Sequence, residues 1–166
     1  MLVPPRDGAV AAGVAVDAAV INRRQKGAAA EREVAKLLNG KWLTADGTTV
    51  TARRGQQFSG GPDSPDVVHN IPHVHLEVTR SYKVKPGTVA MTAKLAQAER
   101  DCPGGYLSYV VWRPDGDTSW RVTFRAIVDN CGIVPSRCGP AVVTIEFCTA
   151  VKLWGLLPRV AEGVTA

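Results

Sequence analysis

Residues 61–80 read GPDSPDVVHNIPHVHLEVTR and set one acidic residue into each of two short apolar segments. Both segments contain β-branched residues and are bounded by Gly, Pro or Asn, a pattern typical of strands. Asp66 begins the first segment, and Glu77 lies inside the second. Side chains alternate along a strand, so Glu77 and Thr79 point to the same face. A hairpin-like pairing of the two strands would bring the carboxylates together, and a divalent cation is the usual way to hold such a pair.

The segment that precedes this region predicts a helix carrying a third acid. Residues 26–38, KGAAAEREVAKLL, have apolar residues at helical spacing and are followed by Asn39 and Gly40, which stop a helix. At 100° per residue, Glu31 falls within the apolar arc and Glu33 on the opposite side. An unpaired buried charge costs several kcal/mol, so an inward Glu31 needs a partner. We expect it to serve the same cation, directly or through water.

Each carboxylate taken alone also has a plain structural alternative. Asp66 follows a Ser-Pro pair and fits a turn position. Glu77 fits an ion pair with Arg80 or with a lysine of the nearby KVK segment, and Glu31 fits a side chain that reaches solvent from the edge of the apolar arc. The metal hypothesis therefore depends on the three acids together.

The other segments predict an α/β fold, with a mixed β-sheet flanked by helices. Residues 48–54, TTVTARR, alternate as a strand does, and residues 88–102 predict a second helix with Thr88 as its N-cap. Residues 106–112 and 119–124, joined by a polar turn, predict a hairpin. The order helix, strands, helix, strands is typical of an α/β sandwich.

We predict one domain over residues 23–125. Residues 1–22 are rich in Ala, Val and Gly without firm periodicity, which is typical of a poorly ordered arm or a loose helix. Residues 126–166 contain one strand candidate, AVVTIEF, and one short apolar piece, KLWGLL. We expect them to form a C-terminal extension that packs on the domain or on a partner chain.

Composition limits the class of protein. Lys and Arg outnumber Asp and Glu by 20 to 15 in 166 residues, which permits a polyanionic partner without showing one. The four cysteines include no CxxC pair, so spacing predicts neither a disulfide framework nor a zinc site, and ordinary thiols in a reducing compartment are expected. The apolar run 8–21 is interrupted by Asp17, lacks a basic leader and is shorter than a membrane span. We expect a cytoplasmic protein.

Together these segments resemble a known nuclease family. A KG-x-x-x-E helix, a strand ending in Arg-Arg, a Ser-Gly loop, a Pro-Asp pair and a Glu-x-Thr triplet follow one another in that order. Over residues 23–125 the chain resembles the archaeal-type Holliday junction resolvases and their phage relatives within the PD-(D/E)XK nuclease superfamily. The resemblance implies a restriction-endonuclease-like core and a homodimeric, Mg²⁺-dependent endodeoxyribonuclease, with Mn²⁺ as a substitute, that resolves four-way DNA junctions. The phage relatives imply a phage-encoded protein acting in a host cell.

The resemblance also implies roles for individual acids. Glu31 matches the helix-borne acid that helps to position the attacking water. Asp66 and Glu77 match the acids that ligate magnesium, and the carbonyl group of Val78 matches an extra ligand.

Further implied roles belong to neutral and basic side chains. Ser59 matches the serine of a mobile loop near the scissile phosphate, and Gln97 matches a glutamine of the second helix that points at the site. The residues expected to contact the DNA backbone are all basic: Lys26, Arg53, Arg54, Lys83 and Lys85.

Thr79 departs from the family, which has a lysine at this position. Such a lysine orients the attacking water and stabilises charge on the phosphate, and a threonine hydroxyl has neither the charge nor the reach. Three alternatives follow: Lys83 or Lys85 reaches in, the chain binds DNA on a nuclease fold without cutting it, or the threonine is an introduced change. Arg80 is a poor substitute, because alternation sends it to the opposite face.

Two other functional alternatives remain. A restriction or repair endonuclease on the same fold would cut linear duplex with a sequence or lesion preference. A transition-metal site built from His69, His73, His75 and the cysteines is the weaker alternative, since histidines on a polar strand face are commonly solvated or hydrogen-bonded.

Overall fold

The computed structural model describes residues 10–55 and 65–159, with side chains from residue 24 onward. Within these ranges the chain is a mixed α/β protein with three helices and a curled mixed sheet. The helices are α1 Val10–Leu38, α2 Val89–Asp101 and α3 Phe147–Leu153. The strands are β1 Trp42–Leu43, β2 Ala52–Arg54, β3 Val67–His69, β4 Val74–Arg80, β5 Leu107–Arg113, β6 Arg121–Asp129, β7 Gly132–Pro135, β8 Ala141–Glu146 and β9 Leu157–Pro158.

The main sheet is built around one parallel pair of strands. β4 and β5 run parallel in register from Val74 opposite Leu107 to Arg80 opposite Arg113, and α2 makes the connection between them. β6 is antiparallel to β5, to β8, which pairs with its first six residues, and to β7, which pairs with its last four. β4 therefore lies at the end of the sheet, where an edge is open to contacts from other elements.

Helices cover both faces of this sheet. Val34 and Leu38 of α1 are fully buried against the face that carries Leu76, and α3 joins the same core. α2 covers the other face with a predicted apolar stripe of Met91, Leu95 and Ala98. The Thr88 side chain accepts the Met91 backbone N–H, which confirms the predicted N-cap. β4 is thus enclosed on both faces, and its polar residues His75 and Glu77 are buried together with its apolar ones.

Two details of the strand prediction are wrong. The strand predicted over residues 48–54 is reduced to β2, because Val50 instead exchanges backbone hydrogen bonds with Gly40 and Trp42. In the described part of the chain, β3 pairs with β2 rather than with β4. His73, in the connection to β4, has φ 58°, a left-handed conformation that turns the chain away from a simple hairpin.

The ends of the chain contribute more regular structure than the sequence indicated. α1 begins at Val10, so residues 10–22 are helical, which agrees with the loose helix and not with the poorly ordered arm. β6 runs through the domain boundary placed at residue 125. β8 pairs with β6, and Phe147 and Val151 of α3 are buried in the main core. Within the described residues, no helix is long and apolar enough to cross a membrane.

Candidate functional site

A cavity of about 550 Å³ lies beside the C-terminal end of β4, between α1 and α2. Three of its lining residues are the carboxylates singled out from the sequence, namely Glu31, Asp66 and Glu77. The other predicted site residues that line it are Lys26, Val78, Thr79, Lys83 and Gln97. The fold therefore brings together, in one cavity, residues as far apart along the chain as Lys26 in α1 and Gln97 in α2.

Asp66 is buried beside the edge of β4. Its side chain is 5% exposed, and its Oδ2 accepts the backbone N–H of Val78 at 2.8 Å. The carboxylate thus reaches β4 without the strand pairing that the sequence predicted. Burial, followed by the charge of Glu77 and then by that of Glu31, raises the pKa of Asp66 to about 7, against the lowering effect of the Val78 hydrogen bond. Ionised Asp66 is therefore an unfavourable charge that an added cation would stabilise.

Glu77 is held by two side chains of α2. Its Oε1 accepts Lys94 Nζ at 2.8 Å and Gln97 Nε2 at 2.9 Å, and Lys94 also donates to the Gln97 amide oxygen at 3.1 Å. The partner of Glu77 is neither Arg80 nor a lysine of the KVK segment, so those structural alternatives are wrong. Alternation predicted which residues share a face of β4 but not which helix covers it, and in the structure Glu77 lies on the face that α2 covers.

Lys94 is the site residue that sequence reasoning missed. It stands three positions before Gln97, and residues three apart on a helix share a face. It also directly precedes Leu95, which belongs to the buried stripe of α2. These two facts place Lys94 at the edge of the packed face, but they do not reveal which strand residue it meets.

Glu31 is buried, as its place on the helical arc predicted, and its partner is an arginine. Arg54 Nε lies 2.5 Å from Glu31 Oε2, and this ion pair ties α1 to β2. The DNA contact expected of Arg54 stays a prediction; its side chain is 39% exposed and is not among the residues that line the cavity.

The remaining basic residues divide between the cavity and other surfaces. Lys26 lines the cavity and forms an ion pair with Asp115, which also lies 3.6 Å from Arg80 Nε. Lys83 is exposed at the cavity rim. The structure does not bring Arg53 or Lys85 to the cavity: they line separate depressions, beside His69 and beside Trp112 respectively. Ser59 lies outside the described residues.

Thr79 faces the same cavity as Glu77 and brings no charge to it. Of the two lysines suggested as replacements, Lys83 stays at the rim, with its ammonium 5.7 Å from the centre of the Tyr82 ring. The ammonium that reaches the acids comes from α2 instead.

The donor set fits a small hard cation. Mg²⁺ takes oxygen ligands and is commonly held through one or two carboxylates, with water and substrate phosphate completing its coordination. Asp66 and Glu77 meet that requirement, since each is buried and the charge of one shifts the pKa of the other. Among the residues that the structure describes, no group of three or more His, Cys, Asp or Glu side chains forms a ready-made metal site.

The histidine alternative receives no support among the described residues, because no three His, Cys, Asp or Glu side chains cluster there as a metal-binding group. Burial, and then the charge of His75, lowers the pKa of His69 to about 4, which keeps its imidazole neutral at physiological pH. Burial likewise lowers the pKa of His75. The cysteines of the described residues are free thiols, and three of the four are exposed.

Comparison with protein-family models, with curated proteins and with solved structures finds no match to this chain.

Proposed function

We propose that this protein is a metal-dependent endodeoxyribonuclease with a restriction-endonuclease-like core that hydrolyses phosphodiester bonds in branched DNA. The observation that carries the proposal is the convergence of two buried carboxylates, Asp66 and Glu77, in one open cavity with basic residues at its rim. The order of elements supports it: α1, the β2–β3 pair, β4 with its acid, α2, and then β5 parallel to β4.

The chain's own residues divide the work. Asp66 and Glu77 would hold Mg²⁺, which when bound supplies Lewis-acid stabilisation of the phosphoryl group and makes water more acidic. The Val78 N–H fixes the orientation of Asp66, and Gln97 fixes that of Glu77. Glu31 lines the same cavity and is anchored by Arg54, so it can accept a hydrogen bond from the attacking water.

Charge at the cavity rim favours a polyanionic substrate. Lys26 and Lys83 lie there, and the chain carries an excess of basic residues. Contacts of this kind go to the phosphate backbone and carry no base specificity, so selectivity would come from DNA shape. A homodimer presenting two such cavities would suit a four-way junction, which has two symmetric strands to cut.

A cleavage assay tests this function against its rivals. Purified protein is incubated with a labelled four-way junction, or with linear duplex of the same sequence, in Mg²⁺, Mn²⁺ or EDTA. Paired cuts in the junction with either metal, and none in EDTA, support the proposal. Cleavage of the linear duplex alone would indicate a restriction or repair endonuclease. Junction binding without cleavage would identify the noncatalytic DNA-binding protein that Thr79 favours.

A further inference from the structure

The proposed reaction needs a cation that position 79 does not supply. In hydrolysis, a water oxygen forms a bond to phosphorus and the bond from phosphorus to the 3′ oxygen breaks. One proton of the water is lost to a base or solvent, and one proton is taken up by the leaving oxygen, giving a 5′ phosphate and a 3′ hydroxyl. Negative charge accumulates on the phosphoryl oxygens during this step, and a fixed cation next to them lowers the barrier. Thr79 carries no charge.

Lys94, in α2, lines the same cavity as Thr79, which lies in β4. Lys94 Nζ donates to Glu77 Oε1 at 2.8 Å and to the amide oxygen of Gln97 at 3.1 Å. The Lys94 side chain is 29% exposed, so it is packed along most of its length and still open to a molecule in the cavity.

We propose that Lys94 is the catalytic cation of this site, taking from α2 the role that a lysine at position 79 would have from β4. The inference rests on the proposed function. The Lys94 ammonium orients the attacking water by hydrogen bonding and stabilises the charge that develops on the phosphoryl oxygen.

Three other basic residues near the cavity are paired with carboxylates, and Lys83 lies exposed at its rim. Lys26 and Arg80 both face the carboxylate of Asp115, and Arg54 is paired with Glu31. Among the ion pairs of the described residues, Lys94 alone joins a basic group to Glu77. Position 94 is therefore the one from which an ammonium already reaches the proposed metal-binding acids.

The competing explanation is that Lys94 merely neutralises Glu77 and keeps α2 packed on β4. The two roles differ in what a second substitution restores. If Lys94 is structural, a lysine placed at position 79 does not repair its loss. If Lys94 supplies the cation, Thr79→Lys restores an ammonium to the same cavity and recovers cleavage.

The test uses the full chain in single-turnover cleavage of a labelled four-way junction, beside junction binding in Ca²⁺ and thermal unfolding. We expect Lys94→Met to slow cleavage by about 100-fold, the cost of losing one transition-state charge contact. Junction affinity is expected to stay within about threefold, and thermal unfolding checks that the variant is folded, because Glu77 is buried and keeps only one of its two α2 partners, Gln97. The double variant Lys94→Met with Thr79→Lys should regain at least about tenfold in rate. Lys152→Met, an exposed lysine of α3, is the matched control.

Lys94→Gln provides a second variant that keeps a hydrogen-bond donor for Glu77 and should lose cleavage to a similar extent. Cleavage within threefold of the unaltered chain by either folded Lys94 variant overturns the inference and leaves the nuclease function standing. Loss of cleavage that Thr79→Lys does not restore also overturns it, in favour of the structural role. An unaltered chain that cuts no DNA with any divalent metal overturns the proposed function, and the inference with it.

Discussion

Replacing Asp66 by asparagine should stabilise the metal-free protein while removing its response to magnesium. The carboxyl is 5% exposed, and its pKa is raised to about 7 by burial and then by the charges of Glu77 and Glu31. The folded state holds this proton more tightly than the unfolded chain does, so stability contributed by Asp66 is present below pH 4 and is lost as pH rises toward 7. Above pH 7 the ionised side chain destabilises the fold.

The size of this effect follows from the pKa difference. A rise from an ordinary value of 3.8 to about 7 corresponds to about 4 kcal/mol of destabilisation at pH 8, at 1.4 kcal/mol per pH unit. Asparagine removes the charge and can still accept the Val78 N–H through its amide oxygen. Because its amide also adds a donor that needs a partner, we expect a net gain of about 1 to 3 kcal/mol.

Urea unfolding at pH 5 and pH 8, in EDTA and in Mg²⁺, measures both the change in stability and the response to magnesium. A Mg²⁺ concentration of about 10 mM is of the order that saturates weak carboxylate sites. The unaltered chain should be less stable at pH 8 than Asp66→Asn in EDTA and should gain stability when Mg²⁺ is added. Asp66→Asn should gain none. If Asp66→Asn is less stable than the unaltered chain at pH 8, ionised Asp66 does not destabilise the metal-free fold. If the variant responds equally to Mg²⁺, Asp66 is not a ligand of the metal.

Three further predictions concern packing and charge. Gly55→Ala should lower the free energy of unfolding in urea by about 1 to 3 kcal/mol, because an added Cβ would lie 1.8 Å from the carbonyl oxygen of Pro65. The control Gly104→Ala, whose added Cβ meets nothing within 4 Å, should have a much smaller effect. Thr123→Val should cost about 1 to 3 kcal/mol in the same assay, because it removes the hydroxyl that accepts a buried indole N–H at 2.9 Å. Lys83→Gln should lower the slope of log affinity against log salt for junction DNA by about one, and an unchanged slope would exclude a phosphate contact.

The parts of the fold that the sequence predicted are those with strong local periodicity. α2 and β4 each show one residue pattern over their whole length, and alternation along β4 placed Glu77 and Thr79 on the same face; both residues line the cavity. The early start of α1 was not predicted, because its first residues are small and apolar on every side. β7 and α3 are short, so neither contains enough residues to establish a period.

The sequence predicted the acids of the site but not the basic residues that pair with them. Glu31, Asp66 and Glu77 could be identified because an acid inside an apolar pattern stands out in the sequence. Lys94 and Arg54 pair with two of these acids, and those contacts depend on how helices and strands are packed together. Local patterns contain no such information, and a lysine near a buried stripe is ordinary on any amphipathic helix.

The most direct test of the central claim is hydrolysis of a labelled four-way junction by the unaltered chain, measured beside Glu77→Gln in Mg²⁺ and in EDTA. Glu77 contacts both Lys94 and Gln97, and its carboxylate is one of the two proposed metal ligands. We expect Mg²⁺-dependent strand cleavage by the unaltered chain, and loss of that cleavage in a folded Glu77→Gln protein. Equal cleavage by both proteins, or cleavage that persists in EDTA, would contradict it.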